Sequence, residues 1–595
     1  MLFSKYLNKY YLKYFIFYAL GILALLAVDY VQLYVPEFLG ELVETVSGGN
    51  ANVDMIADTI KSIVIIAVVI CLGRVTWRLT IFRASSNIES DLRHEMFNKA
   101  ERLSQSYYHN NKVGSIMAWF TNDLENIEEF LGWGCVMMID ALFLGVSVSY
   151  KMFKLDWAMT LLAFVPVLLI VLWGALVEKF MAQRWEHRQK CFDEMYDFAQ
   201  ENFSGIRVIK AFVKETQELH AFAKVAKKNE EANISFVKLS VIFDVLIELI
   251  IGVIVALIIG FGSYFVYCVS KGNPCVIFNH EINITAGKLV TFIGYFDALI
   301  WPLIAMGQIV SMRSRSKTSL KRIEAFLDEK EDIVNPENAI VLDNVQGEIR
   351  YNHFTFAYPD SEVKYLNDIT LTIKPGELVG VVGKVGSGKT TLVNALFRLY
   401  NIDKGSIFID GNDIMDVNVA SLRDSISYAP QDNFLFSDKI ANNINFSNKK
   451  VSRDVTKSAA AFADVDGNIM EFKDGYDTVV GERGTTLSGG QKQRISIARA
   501  YIKNAPIMVM DDSVSAVDTK TEEVILNNIH ERRKGKTTIL IASRVSTVAK
   551  CDKIIVLNDG NLEAFDTPER LLEISPTYQK MVYLQKLENE VNEKK

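Results

Sequence analysis

The chain has few cysteines, and none of them is spaced as a metal or redox motif requires. The six cysteines include no CxxC pair, which excludes a disulfide scaffold and a zinc site. Cys268 and Cys275 flank one short hydrophilic loop and could form a disulfide if that loop lies outside the cell, although two unpaired thiols are the alternative. The cysteines occupy positions 71, 135, 191, 268, 275 and 551.

A surplus of positive charge is also missing. The chain carries 64 Lys and Arg against 71 Asp and Glu, a net charge of −7, so a nucleic-acid partner bound through its phosphates is excluded. Hydrophobic side chains make up 50% of the residues, which disfavours both disorder and a wholly soluble protein. Because the first fifteen residues hold lysines but no small-residue cleavage site, we expect a cytoplasmic amphipathic lead-in and not a removed signal peptide.

Apolar residues concentrate in six runs before position 313, each of about 20 residues, the length that a helix needs to cross roughly 30 Å of hydrocarbon. Between them, segments 83–130 and 178–238 show helical periodicity with charged faces, which predicts that the spans continue as helices into the cytosol. The predicted spans are 14–35, 62–82, 131–153, 157–177, 239–268 and 289–312.

Positive charge in the connecting segments predicts the orientation. Segment 36–61 has one lysine, whereas segment 179–238 has eleven Lys or Arg. The second segment is therefore expected inside the cell, which makes both termini cytoplasmic in a multi-pass protein of the cell membrane. After residue 312 the sequence becomes polar, and from about 347 short β-rich runs alternate with helical ones. The predicted domains are a transmembrane domain over 1–318, a linker over 319–346, a soluble domain over 347–583 and a charged tail over 584–595.

A glycine-rich loop, Gly383 to Thr390, follows an apolar run and precedes a helical segment, which is the context of a phosphate-binding loop. Its glycines let backbone N–H groups surround phosphates, Lys389 can reach the β and γ oxygens, and the Thr390 hydroxyl can bind Mg²⁺. The predicted fold class is an α-helical transmembrane domain with six spans followed by a cytosolic α/β P-loop ATPase domain that binds ATP. The predicted nucleotide-binding residues of this loop are Gly383, Gly386, Ser387, Gly388, Lys389, Thr390 and Thr391.

Two carboxylates, Asp511 and Asp512, end an apolar strand-like run. At the carboxyl end of a strand beside the phosphate loop, Asp511 can hold Mg²⁺ and Asp512 can act as a general base toward water. Taken alone, such a pair is more often a solvated strand end. The phosphate loop upstream is the reason to interpret the pair as part of a nucleotide site.

Leu487 to Gln491, in the sequence LSGGQ, opens a further helical segment. Ser488, Gly489, Gly490 and Gln491 form a second anion-binding turn, and since one nucleotide does not need two such turns in one subunit, this one is predicted to serve a neighbour's nucleotide. With LSGGQ and the phosphate loop together, the chain resembles the ABC transporter family, and specifically exporters with six spans ahead of a nucleotide-binding domain.

The resemblance implies roles for further residues. Tyr358 looks like the aromatic side chain that stacks on adenine, with a turn tyrosine as the alternative. Gln431 looks like the glutamine that senses Mg²⁺. Ser515 to Asp518 resembles the loop by which two such domains touch. Gly114 to Asp123 and Gly205 to Phe212 look like the segments around the two coupling helices.

Two positions depart from the family pattern. Asp512 stands where the family has Glu, and Ser543 stands where it has the switch His. Asp is shorter by about 1.5 Å, and a misplacement near 1 Å costs about a hundredfold in rate. The chain's own site is therefore expected to hold ATP and hydrolyse it slowly. Its LSGGQ turn, which we call the signature, is expected to complete the site of a second, non-identical half-transporter. This pattern resembles the heterodimeric multidrug exporters of Gram-positive bacteria, which implies a bacterial plasma membrane; the alternative is a homodimeric pump in which local geometry rescues Asp512.

The substrate is less constrained by the sequence. Acidic residues within the spans are candidates for the substrate cavity because buried charge in lipid is costly, and with nearby aromatic residues they suit amphipathic cations. The alternative places them in cytosolic extensions or in pairs with arginines. We expect an exporter of amphipathic small molecules, with a lipid flippase, a peptide exporter and a nucleotide-gated channel or signalling subunit as alternatives. The candidate cavity residues are Asp140, Asp244, Glu248 and Asp297, and Asp29 shares their setting.

Overall fold

The computed structural model describes residues 4–49, 53–271, 275–277, 280–359, 361, 363–481, 484 and 486–593, with the backbone alone for 167–179, 277, 280, 588–589 and 591–593. The chain forms two compact units. The first comprises Met1–Met96 and Met117–Leu327, and the second comprises Phe97–Ile116 and Asp328–Lys595.

Long helices build the first unit, and we name them span helices 1 to 6. Five of the six predicted spans lie in helices that are long and apolar enough to cross a membrane. The fourth, 157–177, lies in span helix 4 and extends beyond the residues whose side chains are described. In chain order the span helices are Phe15–Ser47, Val53–Arg102, Val113–Leu155, Trp157–Ser204, Glu215–Ser270 and Ala286–Asp328.

The composition of the span helices explains how they form. On span helix 2, Val64, Ile65 and Leu72 are each more than half exposed, as apolar side chains facing lipid are. Span helix 4 begins after Asp156, whose carboxylate accepts hydrogen bonds from the backbone N–H groups of Ala158 and Met159, both at 2.9 Å. These features confirm the predicted helical transmembrane domain.

Local irregularities interrupt two of these helices. Span helix 1 consists of Phe15–Gln32 and Tyr34–Ser47, with a break at Leu33. Span helix 3 contains wide π-type turns, which are frequent at functional positions. The successive segments of span helix 3 are Val113–Ala118, Trp119–Asp123 (π), Leu124–Glu129, Phe130–Gly134 (π), Cys135–Ile139, Asp140–Leu144 (π) and Gly145–Leu155.

Short elements complete the first unit. Helix Lys5–Lys13 buries Leu7 and Tyr10, and Lys9 and Lys13 form ion pairs with Glu95 (2.7 Å) and Asp91 (2.5 Å) of span helix 2. The predicted lead-in is thus an amphipathic helix. Helix Ile206–Ala211 lies within the predicted second coupling segment, and Val276–Ile277 pairs with His280–Glu281. The six cysteines are free thiols.

A ten-stranded sheet organises the second unit. Its strands are β1 Ile349–Ala357, β2 Lys364–Ile373, β3 Leu378–Gly383, β4 Ile407–Ile409, β5 Asn412–Asp413, β6 Ile426–Ala429, β7 Ile507–Asp511, β8 Thr537–Ile541, β9 Lys553–Asn558 and β10 Asn561–Asp566. Their order in the sheet is β5-β4-β1-β2-β10-β9-β3-β8-β7-β6, and the run from β9 to β6 is parallel.

Helices cover both faces of this sheet. Every residue of β7 and β8 is buried, as expected for parallel strands packed on two sides. One core contains Phe462 and Ile497, and the other contains Tyr351 and Leu392. The helices are Gln105–Asn110, Lys389–Leu396, Val419–Asp424, Ile440–Ile444, Arg453–Phe462, Asp466–Met470, Gly489–Ile502, Thr519–Arg532, Val545–Val548, Pro568–Ile574 and Pro576–Glu593, with 3₁₀ turns at Asn445–Ser447 and Gly475–Asp477.

Two details of the chain's division differ from the sequence-based boundaries. Span helix 6 continues to Asp328, past the predicted limit at 318. Residues 97–116, predicted to be part of the transmembrane domain, lie in the second unit, where Lys99 pairs with Glu331 at 3.2 Å and Ser104 donates to Asp332 at 2.7 Å. These contacts join segments far apart in sequence.

Candidate nucleotide-binding site

Four strand ends meet at one edge of the sheet. Val381 of β3, Ile541 of β8 and Asp511 of β7 are neighbours in register, and Ala429 of β6 pairs with Met510. Because these strands are parallel, their carboxyl ends share one edge. The phosphate loop, Ser543, the Asp511–Asp512 pair and Gln431 all follow these ends, so the sheet brings the predicted residues of the chain's own site together.

The glycines of the phosphate loop are required by its backbone. Gly388 has a φ of +92°, and a Cβ atom there would lie 2.9 Å from the Tyr365 carbonyl oxygen. Gly386 has a φ of +83° with open space around it, which leaves room for a ligand. A Cβ at Gly383 would lie 2.3 Å from the Leu557 carbonyl oxygen. Larger residues would deform the loop at these positions.

Lys389 begins the helix after the loop and turns its side chain back over it. Its ammonium group donates to the carbonyl oxygens of Gly383 (2.8 Å) and Lys384 (2.9 Å). Burial lowers the pKa of Lys389, and the carboxylates of Asp512 and Asp511 oppose this shift. The buried hydroxyl of Ser387 has no hydrogen-bond partner among the described residues. The loop thus offers an ammonium, a free hydroxyl and the N-terminus of helix Lys389–Leu396 to phosphate oxygens.

Thr390 and Asp511 form the candidate Mg²⁺ site. The Thr390 hydroxyl donates to Asp511 Oδ1 at 3.3 Å, and buried Asp511 Oδ2 has no partner among the described residues. Burial raises the pKa of Asp511, whereas Thr390 and the hydroxyl of Tyr428 stabilise its charged form. An uncoordinated carboxylate oxygen beside a hydroxyl fits a hard cation that takes its other ligands from phosphates and water.

Gln431 lies beyond the end of β6 with an exposed side chain, and its carbonyl oxygen accepts from Asn433 at 3.2 Å. The described residues contain no cluster of three His, Cys, Asp or Glu side chains suited to a metal. A metal bound at this edge would therefore depend on the nucleotide for part of its coordination.

Asp512 and Ser543, the two departures from the family pattern, contact each other. The Ser543 hydroxyl donates to Asp512 Oδ1 at 3.2 Å. Asp512 has a φ of +45°, and its backbone N–H donates to the Ile541 carbonyl oxygen at 3.0 Å. The short carboxylate is thus held by a short hydroxyl side chain, which stands where the family pattern predicts an imidazole.

Tyr358 presents a supported aromatic ring beside the loop. Its ring packs edge-on against Tyr365 and Tyr400, with centroids 4.9 Å and 5.2 Å away. Its hydroxyl lies 3.0 Å from that of Thr391 in the helix after the phosphate loop. A tyrosine fixed in this way can hold a base by stacking while the loop holds the phosphates.

The signature residues form a separate structure at the start of helix Gly489–Ile502. Gln491 N–H donates to Ser488 Oγ at 3.3 Å, and Ser488 N–H donates to Gln491 Oε1 at 3.0 Å, a reciprocal capping box. A Cβ at Gly490 would lie 3.1 Å from the Ala516 carbonyl oxygen, whereas one at Gly489 would meet nothing within 4 Å. Ser488 and Gln491 thus bond to each other within the turn, and Gly489 is left open.

Two positioning residues have no signal in the sequence that singles them out. Gln493 is 5% exposed, and its amide contacts the Asp512 carbonyl oxygen (3.3 Å), Ser515 Oγ (3.4 Å) and Ala516 N–H (3.0 Å). It therefore joins the signature helix to the loop after Asp512. Gln585, in the predicted tail, accepts from the N–H groups of residues 545 (2.8 Å) and 546 (3.1 Å) just after Ser543.

The candidate cavity residues in the spans are not gathered together. Asp140 on span helix 3 is 7% exposed, and Trp301 Nε1 donates to its Oδ2 at 2.7 Å. Asp244 and Glu248 on span helix 5 and Asp297 on span helix 6 are exposed in the chain. Asp140 is thus a structural partner of span helix 6, whereas the other three have exposed side chains.

Two family models match the chain. The model described as ABC transporter transmembrane region matches residues 18–303, and the model described as ABC transporter matches residues 366–515. The second match contains the phosphate loop, the signature and the Asp511–Asp512 pair.

Relatives of similar length are also found. YheI of Bacillus subtilis, a probable multidrug resistance ABC transporter ATP-binding/permease protein, is 31% identical over 98% of this chain and 97% of its own. MdlA of Escherichia coli, a multidrug resistance-like ATP-binding protein, is 32% identical over 96% of this chain and 94% of its own. An ATP-dependent lipid A-core flippase of Syntrophus aciditrophicus is 32% identical over 85% of this chain and 82% of its own.

A solved structure of a bacterial Atm1-family ABC exporter with ATP bound is similar in fold. Its TM-score is 0.76 at 24% identity, covering 97% of this chain and 98% of its own. At that identity the likeness concerns the fold alone. Together with the family models, it confirms a helical transmembrane domain followed by an ATPase domain.

Proposed function

The chain belongs to the ABC transporter family, and we propose that it is one subunit of a heterodimeric exporter whose own nucleotide site hydrolyses ATP slowly. The observation that carries the proposal is the contact between Asp512 and Ser543. These two residues replace the general base and the switch residue of the family pattern, and they are bonded to each other. A site built on them positions water poorly, at a cost of about a hundredfold per ångström of misplacement.

The signature supports a non-identical partner. Ser488 to Gln491 keep the complete LSGGQ turn, and Gly489 faces open space. In a homodimer both sites would contain the impaired Asp512 and Ser543, and the intact turn would complete no competent site. Opposite a half-transporter that has its own Glu and His, the turn completes a nucleotide site that hydrolyses ATP rapidly.

The chain's own site binds Mg²⁺ and ATP in this proposal. The phosphate loop and Lys389 hold the phosphates, and Tyr358 stacks on adenine. Thr390, Asp511 and Gln431 hold the metal, which would neutralise charge on the phosphates. Asp512 acts as a weak general base, and Ser543 stands in place of the switch His.

ATP drives transport by closing the two ATPase domains on each other. Contacts between nucleotide and the opposite signature exist only in the closed state, so binding shifts the population toward it and hydrolysis reverses the shift. In the proposed topology both termini and the ATPase domain are cytoplasmic, in keeping with the positive charge of 179–238.

We assign amphipathic small molecules as the substrate class. YheI is described as a probable multidrug resistance transporter and MdlA as a multidrug resistance-like protein. The exposed acids Asp244 and Glu248 in span helix 5 suit cationic compounds. The flippase among the relatives favours lipid as the second candidate. A peptide exporter and a nucleotide-gated channel or signalling subunit are further alternatives, and substrate-stimulated phosphate release by the reconstituted complex would distinguish a transporter from a channel.

ATP hydrolysis by the chain alone tests the proposal. We expect little phosphate release from the purified chain and rapid release after co-purification with a second half-transporter, whose gene is expected to be adjacent. Lys389→Ala in this chain serves as the background control. Brisk hydrolysis by the chain alone, abolished by Lys389→Ala, would establish a homodimeric pump instead.

A further inference from the structure

Two acidic residues meet inside the transmembrane unit. Asp29 on span helix 1 is 4% exposed, and Asp140 on span helix 3 is 7% exposed. Their carboxyl groups lie within hydrogen-bonding reach of each other. Asp29 Oδ2 and Asp140 Oδ1 have no donor among the described residues. Each acid therefore has a buried carboxyl oxygen that no described donor contacts.

The surroundings do not neutralise both acids. Span helix 6 contributes the neutral indole of Trp301, whose Nε1 donates to Asp140 Oδ2 at 2.7 Å. Among the described residues, Arg74 of span helix 2 is the charged group that faces the pair, and its guanidinium donates to Gln32 at 3.3 Å. Leu25 and Val28 line the same part of span helix 1. One cation thus faces two carboxyl groups.

Two adjacent carboxylates cannot both stay charged in such a place. Each bare charge carries a large desolvation cost, and their mutual repulsion is strong where the dielectric is low. One proton placed between them converts the repulsion into an O–H···O⁻ hydrogen bond, as in other carboxyl pairs that share a site. The remaining single charge is balanced in part by Arg74.

We propose that Asp29 and Asp140 form a proton-binding site that fastens span helix 1 to span helix 3. The ligand is one proton taken from water and returned to it. Asp140 begins a π-type turn, and Trp301 precedes Pro302, so the pair lies where two helices are already irregular. Loss of the proton would leave two carboxylates side by side and would force these helices apart. The proposal is independent of the partner and of the ATP site.

Infrared spectroscopy of the purified full chain in lipid nanodiscs tests for the proton directly. We expect the carbonyl band of a protonated carboxyl group at neutral pH, shifted by deuteration. The band should disappear in Asp29→Asn, in which one ionised carboxylate remains beside an amide, and should persist in Asp58→Asn, an exposed acid of span helix 2. Absence of the band from the unmodified chain at neutral pH would overturn the proposal without any variant.

Thermal unfolding across pH gives an independent test. Stability that depends on a bound proton decreases as pH rises, so we expect the Tm of the unmodified chain to fall by several degrees from mildly acidic to alkaline pH. Asp29→Asn should flatten this slope, because its amide donates to Asp140 at every pH. Asp58→Asn should retain it. An unchanged slope in Asp29→Asn, or a Tm that falls toward acid pH as for an ion pair with Arg74, would contradict a shared proton.

Sodium distinguishes a proton from a metal ion at the same oxygens. The pH titration is repeated with sodium exchanged for choline at constant ionic strength. A midpoint that does not move supports proton binding. A midpoint that shifts with sodium concentration would assign the site to a metal cation and overturn the proposal.

Discussion

The second unit contains two regions that are proposed to contact nucleotide, and they differ in how fully they match the family pattern. At the carboxyl ends of the parallel strands, Asp512 and Ser543 bond to each other in place of the Glu and His of the family pattern. At the start of helix Gly489–Ile502, the signature turn is intact and Gly489 is open to the outside. In the proposed heterodimer, the first region departs from the family pattern while the second keeps it, because the two regions serve different nucleotide sites.

The two regions are nevertheless connected. Gln493 lies on the signature helix and contacts both the Asp512 carbonyl oxygen and the loop at Ser515 and Ala516. A change in one region therefore reaches the other through a single buried amide. The comparison predicts unequal effects of mutation, with Gln493 as the exception that couples the regions.

The largest effect is expected from Gly489→Asp. In the proposed heterodimer this residue faces the partner's nucleotide, and a carboxylate would oppose the γ-phosphate there. Loss of a transition-state contact of this kind costs on the order of a hundredfold or more in turnover, measured as phosphate release by the co-purified complex. The change should not unfold the chain, because a Cβ at Gly489 meets nothing within 4 Å and Asp is favourable at a helix N-terminus.

Gly467→Asp is the matched control for that substitution. Gly467 is also an exposed glycine near the start of a helix with open space around it. We expect near-normal turnover from this variant. Equal losses from both glycine variants would mean that a general effect of the added carboxylate, and not the signature, accounts for the result.

The next largest expected effect is a gain in ATP hydrolysis by the chain alone. Asp512→Glu combined with Ser543→His restores the family pattern, and phosphate release by the chain alone should rise by roughly ten- to a hundredfold, the cost of an ångström of misplacement. Each single change should yield much less, since the carboxylate and the imidazole act on the same water. A double variant as slow as the unmodified chain would place the defect elsewhere in the site.

Gln493→Ala should have an intermediate effect. Removing its buried amide deletes the three hydrogen bonds to the loop after Asp512, each worth about 0.5–1.5 kcal/mol. The loop that is proposed to touch the opposite domain should therefore loosen. We expect turnover of the complex to fall by about tenfold. Gln346→Ala, an exposed glutamine of the same unit, should leave turnover unchanged, and equal behaviour of the two would argue against coupling through Gln493.

Local pattern was enough to predict residues that the sheet brings to one edge. Glycines with positive φ at 386 and 388 and short apolar runs ending in Asp511 or preceding Gln431 are local features, and parallel strands then bring them to one edge. The helical spans followed from apolar length in the same way.

Contacts between distant segments could not be predicted. Gln493 looks no different from Gln491 in the sequence, and only the packing of the signature helix brings it to Asp512. The pairing of Asp29 with Asp140 depends on the register between two helices, which apolar length does not specify. The inclusion of 97–116 in the second unit depends likewise on ion pairs and hydrogen bonds across more than two hundred residues.

A smaller effect concerns the pH dependence of Mg²⁺ binding at the chain's own site. Burial raises the pKa of Asp511, and Mg²⁺ needs the carboxylate, so affinity for Mg-ATP should decrease as pH falls. The decrease should begin at a higher pH than it would for an exposed aspartate. Tyr428→Phe removes a hydroxyl that stabilises the charged form and should weaken Mg-ATP by a further factor of about three at mildly acidic pH. Calorimetry with Mg-ATP and with ATP plus EDTA separates the metal-dependent part of the affinity, and we expect only that part to change with pH.

The smallest effect is expected from Asp512→Asn. The Ser543 hydroxyl already donates to this side chain at 3.2 Å, and an asparagine oxygen can accept the same hydrogen bond without change of volume. Because the proposed complex hydrolyses ATP mainly at the partner's site, its turnover should fall by less than about twofold, within the range of a surface substitution. Gly489→Asp and Asp512→Asn alter side chains in the two regions under comparison, so the ratio of their losses measures how far the regions serve separate sites. Losses of similar size would place the catalytic base of the complex in this chain and would make Asp512 a competent substitute for Glu.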